Sequence, residues 1–204
     1  MNYKLLPSME VIEGTMKELK SRSVIPYFVE NRKKALEKLC ELIPSGARVM
    51  TGSSTTLEQI GFVGLLKSGK HSWNNLKDEM LSEKDANKQA ELRKQSVLSE
   101  YFIGSVHALT ESGETLTASA SGSQLPSYVY TSNNVIWVVG AQKIVPDLLE
   151  AIKRIKEYVF PLEDKRMKDL GSAGSVIGWM LYFGQKILPN RKINLILINE
   201  ALGF

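Results

Sequence analysis

Residues 132–145, "SNNVIWVVGAQKIV", contain the segment that decides the fold. The centre, "VIWVV" at 135–139, is apolar throughout, so neither face of a strand at this position suits water. A strand that is apolar on both faces is typical of a parallel sheet buried between layers of helices. The next stretch, "PDLLEAIKRIKEYVF" at 146–160, begins with Pro and Asp and then spaces its apolar residues along one helical face. A buried strand followed directly by a helix predicts an α/β fold.

The rest of the chain continues this alternation. Strands are predicted in "SVIPYFVE" (23–30), where Pro26 favours an edge position, and in "ARVMTG" (47–52). Two strands are predicted around the turn "ESGE", and "VIGWMLYF" and "KINLILIN" near the carboxyl terminus are predicted to pair antiparallel. Helices are predicted over about 9–22, 30–43 and 83–99, and from about residue 56. The chain is therefore predicted to form an α/β sandwich.

Composition and charge narrow the class of protein. The chain has 204 residues, of which 43% are hydrophobic and 24% charged, which fits one globular domain with a substantial core. The net charge of +4 is modest and basic residues alternate with acidic ones, so nucleic-acid binding is not predicted. No apolar run reaches the roughly 18 residues of a membrane span, and the amino terminus lacks a secretory-signal pattern. We expect a cytoplasmic protein.

Cysteine and histidine usage argues against a metal or cluster bound by this chain. Cys40 is the only cysteine, which excludes an internal disulfide and a Cys-ligated iron–sulfur cluster held by this chain alone. It shares a helical stripe with Leu36, so a packed hydrophobe is favoured over a reactive thiol. His71 and His107 are far apart in sequence, and no cluster of His, Cys and Asp has metal-ligand spacing. His107 lies within an apolar strand, where a structural, hydrogen-bonded role is the more typical one.

The first candidate site is the turn "GSSTT" at 52–56, between a predicted strand and a predicted helix. Gly52 permits a tight bend and a close backbone approach. The N–H groups of a helix start favour a phosphate or carboxylate, and they are joined here by four consecutive hydroxyls, those of Ser53, Ser54, Thr55 and Thr56. The alternative is a capping box, in which Thr55 or Thr56 caps the helix and Glu58 follows Thr55 by three residues. The residue types leave both interpretations open.

The second candidate is "TESGETLTASASGSQLP" at 110–126, a Ser- and Gly-rich run after a strand. In an open α/β sheet, ligands bind beyond the carboxyl ends of strands. Glu111 or Glu114 could serve there as a general base, or both could be solvent-facing acids of a hairpin turn. Glu111 is the candidate catalytic residue, and the candidate ligand contacts in this run are Gly113, Ser121, Gly122, Ser123 and Gln124.

Two further segments carry charge near predicted element ends. Lys143 in "GAQK" lies where the buried strand ends, so it could balance an anionic ligand or simply flank a helix at the surface. "PLEDKR" at 161–166 sets two acids beside two bases, which predicts an ion-paired loop. Exposed pairs of this kind contribute only about 0–1 kcal/mol each.

Five segments, taken in order, resemble the LUD family of lactate-utilisation-domain proteins, also called LutC/YkgG-like. They are "GSSTTLEQIG", "IGSVHALTESGETLTASASGSQLP", "VIWVVGAQKIVPDLLEAIKRI", "PLEDKR" and "INLILINEALGF". The resemblance runs from about residue 10 to the carboxyl terminus. It implies a single LUD domain over residues 1–204, with an amino-terminal helix and extended segment (1–29) packed on it. The implied fold is a three-layer α/β/α sandwich around a mainly parallel sheet, similar to the NagB/RpiA/CoA-transferase group.

The resemblance also suggests which residues and partners serve the function. In that fold the first Gly/Ser/Thr turn commonly faces the ligand cleft, which favours a ligand role for residues 52–56. Lys143 falls in the family's "GxQK" segment, and Glu163 and Arg166 fall in "PLEDxR", as structural or partner-contact residues. The family implies a subunit that assists oxidation of L-lactate to pyruvate with an iron–sulfur LUD-type protein and a cysteine-rich protein, and that binds no cofactor by itself.

Two alternatives to this function remain open from the sequence. One is a stand-alone transferase or isomerase of the same fold that acts on a phosphorylated, CoA-linked or carboxylate substrate, with Glu111 as the attractive nucleophile. The other is a regulatory module whose cleft binds a small anion without turnover. Homo-oligomers are also left open, because the strand-rich carboxyl terminus could pair between chains.

Overall fold

Ten strands and eight α-helices alternate along the chain. The computed structural model describes residues 1–204. The strands are β1 (Ile25–Val29), β2 (Arg48–Thr51), β3 (Asn74–Asn75), β4 (Tyr101–Gly104), β5 (Ala108–Thr110), β6 (Thr115–Ser119), β7 (Asn134–Gly140), β8 (Ile144–Val145), β9 (Trp179–Phe183) and β10 (Lys192–Ile198). The helices are α1 (Met9–Ser21), α2 (Arg32–Leu42), α3 (Thr55–Gln59), α4 (Phe62–Ser68), α5 (Leu76–Ser82), α6 (Ala86–Gln95), α7 (Leu148–Arg154) and α8 (Phe160–Asp169). π-helical turns cover Ser127–Thr131 and Ile155–Val159, and the second joins α7 to α8.

The main sheet has six parallel strands in the order β1-β10-β7-β4-β2-β3. β7 lies inside it, with Trp137 opposite Leu195 of β10 on one side and opposite Gly104 of β4 on the other. The fully apolar segment at 135–139 is therefore buried on both faces, as its sequence predicts. β1 carries Pro26 and lies at one edge, which also confirms the prediction.

Side chains of β7 alternate between two cores, one on each face of the main sheet. Val135, Trp137 and Val139 pack toward α1, α5 and the first π-helical turn. Ile136 and Val138 pack toward α2, α3 and α4. Both cores consist largely of side chains with almost no exposed surface. The predicted three-layer α/β/α arrangement is thus confirmed by how successive strand residues divide between opposite helical layers.

A second, mixed sheet has the order β8-β5-β6-β9. β5 and β6 form an antiparallel hairpin around residues 111–114, as predicted, while β8 joins β5 in parallel and β9 joins β6 antiparallel. A third, smaller core lies between this sheet and α7, where Ala108 and Leu116 contact Ala151 and Ile155. The second sheet thereby places the end of the hairpin opposite the turn, where His107 and Ser119 lie, beside the main sheet.

The predicted antiparallel pair of carboxyl-terminal strands is wrong. β9 pairs with β6 in the second sheet, whereas β10 enters the main sheet between β1 and β7 in parallel with both. The physical reason is the apolar content of β10, whose residues 193, 195 and 197 enter one core while 196 and 198 enter the other. A strand that buries both faces needs helices on both sides, which a terminal hairpin cannot provide.

The segment "PLEDKR" is helical, and the prediction of a loop there is also wrong. It lies within α8, directly after the π-helical turn, with Pro161 in the first turn of the helix. The acids and bases therefore pair at helical spacing. No helix in the structure is long and apolar enough to cross a bilayer.

Candidate functional site

A polar cleft of about 470 Å³ opens at the carboxyl edge of the main sheet. Three neighbouring strands, β2, β4 and β7, end there, and each contributes the residues that follow its last position. Gly52 follows β2, Ser105 follows β4 and Lys143 comes shortly after β7. Because parallel strands all end at the same edge, segments that are far apart in sequence meet at this place.

Most of the residues predicted for a site line this one cleft. They are Gly52, Ser53, Ser54, Thr55, Thr56, Ser121, Ser123, Gln124, Lys143, Glu163 and Arg166. The exceptions are Glu111, Gly113 and Gly122, which are not among the lining residues. Within the described chain, no three His, Cys, Asp or Glu side chains come together as a potential metal site.

The turn at 52–56 combines a helix cap with cleft-lining hydroxyls. Ser54 is the N-cap of α3, and its Oγ accepts a hydrogen bond from the Leu57 backbone N–H at 3.3 Å. The predicted cap at Thr55 or Thr56 is therefore wrong by one or two positions, because both residues already have a place inside the helix. Ser53 makes no side-chain hydrogen bond and is exposed to the cleft. The hydroxyls of Ser53 and Thr55 both lack a partner within the chain, and Ser53 is the more exposed of the two.

The second predicted segment reaches the cleft from the mixed sheet and not from the parallel one. Ser121 and Ser123 lie in the loop after β6, and the Ser121 hydroxyl donates to Ser123 Oγ at 3.1 Å. Gln124 crosses to the first turn: a Cβ on Gly52 would lie 2.8 Å from Gln124 Oε1. The turn at 52–56 and the loop that carries Gln124 therefore touch at Gly52, where there is no side chain to separate them. This is the close backbone approach that a glycine at this position predicts.

Lys143 is buried at the inner end of the cleft, with 2% of its surface exposed. Its Nζ donates to Thr56 Oγ1, to Ser105 Oγ and to the Val106 carbonyl, each at 3.1 Å. All three acceptors are uncharged, and no carboxylate pairs with this amine. Burial, together with the positive charge of Arg154, lowers the pKa of Lys143 well below its usual value.

Arg154 lies behind this site as a second buried cation. It is fully buried beside the rings of Tyr3 and Tyr158, which contact each other, and its guanidinium carbon is 5.6 and 5.3 Å from the two centroids. One Nη donates to the His107 carbonyl, while Nε and the other Nη have no partner. Burial lowers the pKa of Arg154 to about 10. The cation–π contacts compensate part of its desolvation.

Ser105 is fixed at the end of β4 by a close contact with Tyr128. The Tyr128 hydroxyl donates to the Ser105 carbonyl at 2.9 Å, and burial raises the pKa of this tyrosine. A Cβ on Gly104 would lie 1.9 Å from that hydroxyl, so only glycine fits at this position. Arg191 holds the π-helical turn that carries Tyr128, and its guanidinium donates to the carbonyls of Ser127, Tyr128, Val129 and Ser132.

His107 is a neutral wall residue of the cleft. Its Nδ1 accepts from the Ala118 backbone N–H at 3.0 Å, which places the proton of the neutral ring on Nε2. Burial, followed by the charges of Lys143 and Arg154, lowers the pKa of His107 to about 3. The structural hydrogen bond matches the role expected from its strand position, yet the ring also faces the cleft.

The ionised side chains of the cleft carry more positive than negative charge. Even without Lys143, whose pKa is lowered, the lining has two arginines, Arg93 and Arg166, and the only lining carboxylate side chain is Glu163. Glu163 is already paired with Arg166 through two hydrogen bonds of 2.8 and 2.7 Å, one helical turn apart on α8. This pair raises the pKa of Arg166. An anion entering the cleft would therefore meet no unpaired carboxylate side chain.

Glu111, Gly113 and Glu114 lie at the turn of the β5–β6 hairpin, away from the cleft. The hairpin explains this separation, because its turn lies at one end of the strands while His107 and Ser119 lie at the other. Glu111 is exposed, and Gly113 has φ +84° where a Cβ would lie 2.9 Å from the backbone of α1. Glu114 accepts from the Tyr182 hydroxyl at 2.6 Å, which lowers the pKa of its carboxyl.

Gly122 faces Trp179 and not the cleft. It has φ +76°, and a Cβ there would lie 3.2 Å from the indole ring. It therefore allows the loop to turn over β9 and so positions Ser121 and Ser123. Sequence reasoning missed several lining residues, among them Arg93, Ser105, Tyr128 and Phe204. Of these, Ser105 had a usable signal, since "GS" directly follows the apolar strand "YFI".

The fold and the cleft define an α/β protein with a polar, cationic site at the carboxyl edge of a parallel sheet. The sequence model of the LUD domain family matches residues 12–186, so the chain belongs to this family. At the level of the family, this membership supports a function related to lactate utilisation, without specifying a substrate or a partner.

One solved structure supports the fold. A DUF162 family protein from Deinococcus radiodurans superposes with a TM-score of 0.56 at 9% identity, and the match covers 96% of this chain and 100% of that one. The eIF2B beta protein of Chaetomium thermophilum gives a TM-score of 0.39 at 14% identity, over 70% of this chain and 49% of that one. A comparison with curated proteins gave no match.

Proposed function

We propose that this chain is a LutC-like lactate-utilisation protein of the cytoplasm. It would bind L-lactate, or a related 2-hydroxy acid, in the cleft and assist its oxidation to pyruvate as a subunit without an iron–sulfur cluster. Electrons would pass to an iron–sulfur LUD-type protein and a cysteine-rich protein. Family membership supports the general role, and the residues of the cleft support the class of ligand.

The observation that carries the proposal is that one cleft combines exposed hydroxyls with excess positive charge. Ser53, Ser121 and Ser123 supply hydroxyls that are exposed to the cleft, while Arg93 supplies an exposed cation. A small 2-hydroxy acid carries a carboxylate, which this charge favours, and a hydroxyl, which serine side chains can hydrogen-bond. The cleft thus offers both kinds of partner that lactate and pyruvate need.

The stand-alone enzyme with Glu111 as nucleophile has less support. Glu111 is exposed at the hairpin turn and does not line the cleft. A nucleophile must lie within reach of a substrate held by other residues, and Glu111 has no such surroundings. The lining carboxylate, Glu163, is occupied by Arg166. The proposal therefore assigns Glu111 no role in the cleft.

Titration calorimetry and thermal shift with L-lactate, D-lactate, pyruvate, inorganic phosphate and CoA test the proposal. We expect binding of L-lactate or pyruvate, and a ligand at 100 times its Kd stabilises the fold by about 2.7 kcal/mol. Ser53→Ala should weaken binding by about 2- to 10-fold, the value of one lost hydrogen bond, without changing the melting temperature. Absence of binding by every 2-hydroxy and 2-keto acid would refute the ligand assignment.

Ser54→Ala is the matched control, because Ser54 lies beside Ser53 but caps α3. Loss of an N-cap costs about 0.5–2 kcal/mol of stability, so this variant should melt at lower temperature. Copurification from cells that express the native chain tests the partners. Recovery of neither an iron–sulfur protein nor a cysteine-rich protein would contradict that part of the proposal.

A further inference from the structure

The inner end of the cleft holds an amine and a hydroxyl in direct contact. Lys143 Nζ and Ser105 Oγ are 3.1 Å apart. Ser105 is half-exposed and lines the cleft, whereas Lys143 is buried behind it. A nucleophile that faces the substrate and a base that lies behind it within hydrogen-bond reach are the first two elements of a serine-based acyl-transfer site.

The surroundings of Lys143 suit a base better than a permanent cation. Its other partners are the Thr56 hydroxyl and the Val106 carbonyl, both at 3.1 Å, and neither is charged. Because no carboxylate compensates the ammonium, burial favours the neutral amine, and the lowered pKa of Lys143 agrees with this. A neutral amine has a lone pair that can accept the proton of the Ser105 hydroxyl. Thr56 and Val106 then orient Nζ, as the third member of a catalytic triad does.

Ser105 itself is held in place. Its carbonyl accepts from the Tyr128 hydroxyl, which occupies the space that a side chain at Gly104 would fill. His107, two residues later, carries the proton of its neutral ring on Nε2, and that N–H has no partner within the chain. It is the candidate donor to an oxyanion formed near Ser105. Apolar side chains of Ile155 and Val159 complete this wall of the cleft.

We propose that Ser105 is a nucleophile and Lys143 its general base, and that together they transfer a short acyl group from an activated ester or thioester to water. This activity goes beyond the lactate-related function proposed above and does not depend on it. The acyl group would pack against Ile155 and Val159, two apolar side chains that line the cleft. An anionic leaving group is favoured by the exposed charge of Arg93 on the lining.

The steps balance without any further reactant except water. As Ser105 Oγ bonds to the acyl carbon, its proton moves to Lys143 Nζ. The tetrahedral intermediate collapses, the bond to the leaving oxygen or sulfur breaks, and the leaving group takes the proton from Lys143. Water then attacks the acyl-serine ester and gives one proton to Lys143, which returns it to Ser105 Oγ as the acid is released.

Labelling with a fluorophosphonate probe, followed by peptide mass spectrometry, tests the nucleophile. We expect one adduct per chain, on Ser105, and none in Ser105→Ala. Ser45→Ala is the control, because Ser45 is exposed and does not line the cleft, so this variant should label like the wild type. Release of p-nitrophenolate from p-nitrophenyl acetate should show the same dependence on Ser105. No adduct on Ser105 in the folded wild type would overturn the proposal.

Lys143→Met tests the base, because it retains the length of the chain and removes the amine. General-base catalysis contributes about 10²–10⁴-fold, so the rate of Ser105 labelling should fall by at least about 10²-fold. An unchanged rate in the folded variant would overturn the role of Lys143. If circular dichroism shows that the variant is unfolded, the pH profile of wild-type labelling decides. A rise with a midpoint below 10.5, the usual pKa of lysine, supports the base, and a pH-independent rate overturns it.

Discussion

Replacing Gly104 by Ala should disrupt the contact that holds Ser105 at the cleft. The new Cβ would lie 1.9 Å from the Tyr128 hydroxyl and 2.9 Å from its Cζ. The ring has little freedom to retreat, because it is 3% exposed and packs edge-on against Phe102 and Trp137, with centroids 5.4 and 5.8 Å away. The substitution is therefore an overpacking change in a rigid aromatic cluster.

The contacts that change allow an estimate of the loss in folding stability. Overpacking costs about 1–3 kcal/mol, and displacement of Tyr128 also loses its hydrogen bond to the Ser105 carbonyl, worth about 0.5–1.5 kcal/mol. Gly104→Ala alone should thus lower the free energy of unfolding by about 2–4 kcal/mol. Tyr128→Phe alone should lower it by about 1 kcal/mol. Together the changes should be less damaging than their sum, because Phe lacks the atom that clashes most.

A double-mutant cycle from urea unfolding measures this coupling. We expect an interaction energy of about 1–2 kcal/mol in favour of the double variant, well above the roughly 0.3–0.5 kcal/mol within which independent sites add. Far-ultraviolet circular dichroism and the m-values must show that all four proteins unfold from the same folded state. Strict additivity would refute the argument that the Tyr128 hydroxyl excludes a side chain at residue 104.

Three further predictions concern stability. Arg191→Met should cost at least about 3 kcal/mol in urea unfolding, because it leaves several carbonyls without a charged donor; a loss below about 1 kcal/mol would show that water replaces it. His107 has a pKa of about 3 when folded against 6.5 when unfolded, so the unfolded chain binds more protons between these values. The free energy of unfolding should then decrease as the pH is lowered through this window, by up to about 1.4 kcal/mol per pH unit. His107→Gln should flatten the plot of this free energy against pH. The hydrogen bond from Tyr182 is the main cause of the lowered pKa of Glu114, so the Glu114 carboxylate stabilises the fold above its unfolded pKa of 4.5, and this stabilisation is lost as the pH falls below it. Glu114→Gln should therefore weaken the dependence of the free energy of unfolding on pH below 4.5.

Local sequence patterns were sufficient for most of the architecture. The run at 135–139 is apolar on both faces of a strand, which predicts a buried parallel strand. Pro26 predicts a strand at the edge of the sheet, because proline cannot donate a hydrogen bond to a neighbouring strand. The predicted pairing of β9 with β10 is wrong because nearness in sequence suggests a hairpin, while the partner of each strand depends on distant residues. β10 has the same doubly apolar pattern as β7, and giving that signal more weight would have placed it in the main sheet.

The candidate site was predictable in part. The hydroxyl-rich turn at 52–56 and Lys143 carry signals in residue type, and the structure brings them together at one edge. Glu111 looked equally suitable in sequence, but the hairpin holds it at the opposite end from His107. Which end of the hairpin faces the cleft depends on how the second sheet packs against the rest of the chain. A local sequence pattern does not predict this packing.

The sequence by itself therefore determined most of the elements and the two polar segments that line the cleft, since these follow from hydrophobic period, turn chemistry and residue type. The tertiary structure decided which of them meet. Only the parallel order of β2, β4 and β7 places Thr56, Ser105 and Lys143 within hydrogen-bond distance. The physical reason is that Lys143 is buried by chain segments that lie 37 and 87 residues away in the sequence. Its uncharged surroundings exist only after those segments have packed.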